Sequence, residues 1–155
     1  MTSDAFRKAW TAGTMLALTL GLGALAPAAG AHHDSPVRLC EEKFGGDFNS
    51  FRKYPIFGRH GARLGRLDIS FQGPVRRHGV WGWRACAVTV LNHHNRLRFA
   101  DVGVRQADDR RWRSDPGMWR RYAGPVVRWS PYAGNCLIWR GTIRGGTNIL
   151  KGYCA

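Results

Sequence analysis

Alternation is the feature that most constrains this chain. In RLDISFQ, Leu67, Ile69 and Phe71 alternate with Asp68, Ser70 and Gln72. Successive side chains of a strand point to opposite faces, so a period of two predicts a strand with one face buried. WGWRACAVTVLN repeats the pattern, with Cys86, Val88 and Val90 on one face and Ala87, Thr89 and Leu91 on the other. RLRFADVGVRQ, YAGPVVRW, CLIWRGTI and TNILKGYC follow as further short runs. Gly, Pro and Asn mark the connections: GPVRRHG reads as a turn, NHHN as a hairpin-like link, Ser130 to Asn135 as the turn of another hairpin. No segment holds a long 3.6-residue stripe. Short strands with regular turn signals predict an all-β fold, a small antiparallel β-sandwich or barrel-like domain. Trp139 is expected in its core, and Gly124-Pro125 at a bend or on an edge strand.

The chain begins like an export leader. Arg7 and Lys8 precede an apolar run from Thr11 to Leu25, and Ala29 and Ala31 supply the small residues of a cleavage site. Residues 1–31 are therefore read as a signal peptide cut after Ala31. No cysteine follows the apolar run, which excludes a lipoprotein signal, and no transmembrane segment is expected in the mature chain. Removing 31 of the 155 residues leaves 124, enough for one domain. Residues 32–63 read as irregular, with one helical turn near Glu41, tied down by Cys40; residues 64–155 read as the β domain.

All four cysteines (Cys40, Cys86, Cys136 and Cys154) follow the leader. An even number in a small exported domain points to two disulfides. Three pairings are open. Cys40–Cys86 with Cys136–Cys154 is favoured, because the last two flank a short strand-turn-strand pattern. Zinc is the rival, but the cysteines lack C-x-x-C spacing.

Charge carries the functional expectation. The whole chain has a net charge of +14, and loss of Asp4, Arg7 and Lys8 with the leader brings it to +13. Apart from Lys43, Lys53 and Lys151, every base of the mature chain is arginine. Guanidinium groups grip phosphate and carboxylate in forked pairs and stack on aromatic rings. Anionic partners are expected: cell-wall or extracellular polymers, and non-specific nucleic acid. Codon bias toward arginine is the bland explanation.

The densest candidate runs from Arg110 to Arg121. Arg110, Arg111, Arg113, Arg120 and Arg121 interleave with Trp112 and Trp119, and Asp115-Pro116-Gly117 is expected to fold the segment into a two-armed hairpin tip. The bland reading is a solvated loop whose tryptophans cover a sheet edge. Arg76, Arg77 and His78 with Trp81, Trp83 and Arg84 form a second cluster, more simply a turn beside a core tryptophan. His93-His94 and His32-His33-Asp34 resemble metal ligands in type, but no further cluster completes a shell, and no cofactor or metal is expected. A secreted ribonuclease needs a glutamate base and a histidine acid. Glu41 or Glu42 with His78 or His93 supply the types without a diagnostic spacing, and neither G-x-S-x-G nor H-E-x-x-H occurs. No catalytic residue is assigned.

RYAGPVVRWSPYAGNCLIWRGTI resembles the C-terminal half of the actinobacterial spore-associated protein A family. The matching positions are Tyr122, Ala123, Gly124, Pro125 and Val126, then Cys136, Ile138, Trp139, Gly141 and Ile143, then Cys154; upstream, Cys86, Val88 and Thr89 look like a family strand. The resemblance spans roughly residues 64 to 154, and Cys40 sits where the family has its first cysteine. It implies export, two disulfides, a β fold and a place at the cell or spore surface. It implies no catalytic residues. The expectation is a monomeric, secreted structural or adhesive protein that binds anionic envelope polymers non-specifically. The alternatives are a secreted effector acting on nucleic acid or membranes, ribonuclease-like or antimicrobial, and a secreted protease inhibitor.

Overall fold

The computed structural model describes residues 35–132 and 136–153. The expected signal peptide, His32-His33-Asp34 and Cys154 lie outside the described residues. Two antiparallel sheets pack face to face. The first holds Ser50–Phe57 (β1), Arg63–Arg77 (β2), Val80–Leu91 (β3) and Tyr122–Pro131 (β7) in the order β1-β2-β3-β7. The second holds Arg98–Gln106 (β4), Leu137–Ile143 (β8) and Gly146–Tyr153 (β9), with Arg113–Ser114 (β5) and Gly117–Trp119 (β6) both on the outer side of β4. The all-β sandwich expected from alternation is what forms.

Between the sheets lie Leu67 and Ile69 of β2, Ala85 and Ala87 of β3, Val102 and Val104 of β4, and Trp139 and Ile143 of β8, all without solvent contact. Burial of the Leu, Ile and Val side chains among them stabilises by roughly 1.5–3 kcal/mol each. Trp139 sits in this core as expected. The two faces of β3 also separate as alternation predicts: Ala87 joins this core, while Cys86 and Val88 join a second cluster on the far side of the sheet.

That second cluster is the main departure from the sequence reading. Residues 36–44 form a helix, Pro36–Phe44 (α1), longer than the single helical turn expected near Glu41. Its start is well specified: the Ser35 hydroxyl accepts from the Arg38 N–H at 3.1 Å, and Pro36 occupies the first turn. Its end is capped by Gly45 at φ 67 and by Arg84 of β3, whose guanidinium donates to the carbonyls of Phe44 at 3.2 Å and Gly45 at 2.6 Å. The Cys40–Cys86 disulfide ties α1 to β3, as the favoured pairing predicted. In the chain-entropy model a loop of this length contributes roughly 4 kcal/mol. Cys136 is also disulfide-bonded. The strand β1 is a second departure, since it too falls in the segment expected to be irregular.

Three connections differ from expectation. GPVRRHG is not a turn: β2 runs on to Arg77, and only His78 (φ 49) and Gly79 (φ 82) turn the chain, both left-handed as a two-residue primed turn needs. NHHN is not a hairpin link, because β3 and β4 belong to different sheets. Likewise Ser130 to Asn135 carries the chain from β7 in one sheet to β8 in the other, with residues 133–135 outside the described residues.

Edge strands carry prolines: Pro55 in β1, Pro125 in β7 and Pro116 between β5 and β6. Side chains bridge the gaps between facing edges. Asn148 of β9 donates to the Pro55 carbonyl at 2.8 Å. Asp115 accepts from the Gly124 N–H at 2.9 Å, and Arg113 donates to the Val127 carbonyl at 3.3 Å.

Candidate functional site

The Arg110–Arg121 segment does not fold as a two-armed tip. Gly103 pairs with Ser114 and Ala100 with Gly117, so β5 and β6 run along β4 in a single register. The Asp115 N–H still donates to the Val102 carbonyl at 3.0 Å; Pro116, lacking an N–H, makes the break. The segment is thus one interrupted edge strand. Arg111 and Arg120 lie about 30 Å apart along it at the usual strand rise.

Its tryptophans are occupied. Trp112 lies over Gly103, where an added Cβ would come within 3.0 Å of the ring. The guanidinium carbons of Arg140 and Arg105 sit 4.5 and 5.3 Å from its centre. Arg140 in turn donates to Asp101 at 2.6 Å. Trp119 packs against the core between the sheets. Both rings therefore do what the bland reading assigned them. The second cluster divides in the same way: Trp83 is buried edge-on to Phe71 at 5.2 Å and Arg84 caps α1, while Arg76 stacks on the exposed Trp81 at 5.9 Å.

A different cluster forms instead. The strand registers bring the β1–β2 loop, the β3–β4 loop, the β6–β7 link and the β8–β9 turn to one end of the sandwich. Phe57 pairs with Arg63, Gly65 with Leu91, Val90 with Tyr122, Arg98 with Trp119, and Ile143 with Gly146. Hydrogen bonds join the loops directly: Asn92 to the Arg63 carbonyl, Leu91 N–H to the Arg121 carbonyl, and Arg144 N–H to the Phe99 carbonyl. The first loop brings Arg59, His60 and Arg63. The second brings His93, His94, Arg96 and then Arg98. Arg120, Arg121 and Arg144 complete the set. All are exposed except the partly buried Arg98, and none of these loops contains Asp or Glu. Few sequence features could have revealed this end, because its charges come from segments far apart in the chain.

A groove of about 690 Å³ opens at the same end, between the start of α1 and the outer face of the first sheet. Val37, Leu39, Val90 and Tyr122 give it an apolar floor, and Lys53, Arg66, His94 and Arg121 a basic rim. Behind it sits Asp68, fully buried, accepting from Arg66 Nε at 2.9 Å on both oxygens. Burial pushes this carboxyl above its ordinary value, against the opposing pull of Arg66.

Compared with protein-family models, curated proteins and solved structures, the chain has no match.

The opposite end is mixed. Asp47, Asp108 and Asp109 share it with Arg76, Arg77, Arg110 and Arg111, and Asp109 Oδ1 accepts from the Arg111 N–H at 2.8 Å. The acid and base types of a ribonuclease are not assembled. Glu41 accepts from the Phe48 N–H and Glu42 pairs with Arg38, both on α1. His78 lies at the tip of the β2–β3 hairpin and His93 beyond the other end of β3. Among the described residues no three His, Cys, Asp or Glu side chains gather as metal ligands, and no helix is long and apolar enough to cross a membrane.

Proposed function

We propose that this is an exported surface protein that adheres to anionic envelope polymers through its arginine-rich end. One observation carries the reading: loops distant in sequence converge on one end, and these loops bear arginines and histidines and no Asp or Glu. A codon bias would account for the number of arginines, but not for loops free of carboxylates at this end while Asp108 and Asp109 adjoin the arginines at the other. Exposed guanidinium groups displace counterions from a polyanion, so binding is non-specific and falls steeply with salt. The groove beside the end gives a polymer segment a seat with apolar walls and a cationic rim. The resemblance to the spore-associated protein A family agrees with such a location. Extraction of producing cells with rising salt tests the proposal. Stepwise release is expected, with purified protein binding poly(glycerol phosphate) along a linear plot of log affinity against log salt. Retention that ignores salt overturns it.

A second reading is favoured by apolar exposure around the same end. Phe57 is 53% exposed, Leu97 52%, Phe99 41% and Met118 58%. Arginines beside such side chains suit an anionic membrane surface, where each base adds about 1 kcal/mol and the apolar groups enter the head-group layer. Sedimentation with anionic vesicles, lost in Phe57→Ala with Leu97→Ala while polymer binding persists, would favour this second reading.

A further inference from the structure

A separate niche lies toward the mixed end, where the edge of β7 faces β5. Arg77 from β2, Arg113 from β5 and Arg128 from β7 line it, with Gln106 and Trp129, around a volume of about 280 Å³. We propose that this niche binds a compact oxyanion, the phosphate or sulfate group of a monoester.

The argument begins with repulsion. Three guanidinium groups drawn from three strands raise one another's energy unless an anion joins them. The nearest carboxylate is Asp109, 3.6 Å from Arg128, and it offsets one charge of three. The walls are built from donors. Gln106 accepts from Arg128 at 2.9 Å, which orients that guanidinium and leaves the amide NH₂ to donate. Arg113 spends one nitrogen on the Val127 carbonyl, and the Arg77 side chain makes no hydrogen bond or ion pair among the described residues. The Trp129 N–H is held by the Val75 carbonyl at 3.5 Å, so its ring serves as a wall. A niche rich in guanidinium donors and poor in free acceptors selects a ligand with several acceptor oxygens, and guanidinium forks match a tetrahedral oxyanion. Such an anion replaces only a few waters of about 30 Å³ each, so room remains for an organic substituent against Trp129.

The test is an NMR titration of the full exported domain at constant ionic strength set by chloride, with inorganic phosphate, inorganic sulfate, glycerol phosphate and poly(glycerol phosphate) in separate arms. Saturable one-to-one shifts of the Gln106 amide and the Trp129 indole are expected. Arg77→Gln should weaken binding at least tenfold without changing the melting temperature, because the Arg77 side chain is exposed and holds no other group of the fold. Arg128→Lys, which keeps the charge and loses the fork, should fall between. Arg120→Gln with Arg121→Gln should leave these shifts intact while lowering polymer retention, so the two sites fail independently. Tighter binding of the glycerol ester than of the inorganic ions assigns the site to a monoester. Saturation only by the polymer, shifts that rise linearly without saturation, or unchanged affinity in Arg77→Gln overturns the proposal.

Discussion

The two ends of this sandwich are made from the same composition and differ in sorting. At one, Arg59, Arg63, Arg96, Arg120, Arg121 and Arg144 stand without a carboxylate in their loops. At the other, Arg110 and Arg111 follow directly on Asp108 and Asp109. Both ends are tied internally, by hydrogen bonds between loops at the first and by Arg84, Arg105 and Arg128 at the second. Arginine thus has two uses here. Where it meets carbonyls, aromatic rings and acids it is part of the fold. Where it meets only solvent it sets a field for partners.

The comparison can be broken most forcefully through the disulfide. Cys40→Ser with Cys86→Ser should cost roughly 4 kcal/mol in chemical denaturation and release α1 from the outer sheet face. Because α1 forms one wall of the groove, polymer binding should weaken at the basic end while the core strands stay protected in hydrogen exchange.

Next in size is charge removal. Arg96, Arg98, Arg120 and Arg121 changed together to Gln should lower polymer affinity about a hundredfold and reduce the salt slope by roughly 3. The matched set Arg76, Arg77, Arg110 and Arg111 to Gln should change both far less. Equal losses from the two sets would erase the distinction between the ends.

The arginines of the fold should answer differently. Trp112→Ala should lower stability by about 2 kcal/mol, since it removes a ring shared by Arg105 and Arg140. Gly103→Ala should cost about 1–2 kcal/mol, because its Cβ would meet the Trp112 ring at 3.0 Å and push it off its place beside Arg140. Neither should alter the salt slope of polymer binding; thermal melts beside binding isotherms read both.

The smallest effect concerns the carboxylate behind the basic end. Asp68 holds its proton more tightly folded than unfolded, because burial outweighs Arg66. Its share of stability is fully present below the ordinary value of 3.8 and is lost as pH rises through the raised folded value. A carboxyl carbon titration should place its midpoint above 3.8. A midpoint below would mean that the Arg66 contact dominates.

The sandwich was legible because alternation is local: Leu67, Ile69, Val88 and Val102 declare their faces within a few residues. Only one turn of α1, near Glu41, was legible, because the nine-residue helix is too short to show a stripe and is held by Cys40 and Arg84. The strand β1 was obscured by Arg52, Lys53 and Pro55, which belong to an edge. Sheet membership was not legible at all, since a link that crosses between sheets can be as short as a hairpin turn. The basic end was hidden for the same reason. Arg110 to Arg121 looked like a site because its charges adjoin in sequence, and extension along β4 pulls them apart. Arg59, Arg96 and Arg144 lie far apart in the sequence, and topology brings their loops to one end.

The prolines at the strand edges bear on crowding. Pro55, Pro116 and Pro125 each remove a backbone donor from an exposed ladder, and Lys151 puts a charge on the remaining edge strand, β9. A protein accumulating on a polymer reaches local concentrations at which open sheet edges recruit one another into fibres. These edges offer a neighbouring copy no continuous template. On the proposed anionic support, such edges would let molecules pack densely and still come away one at a time.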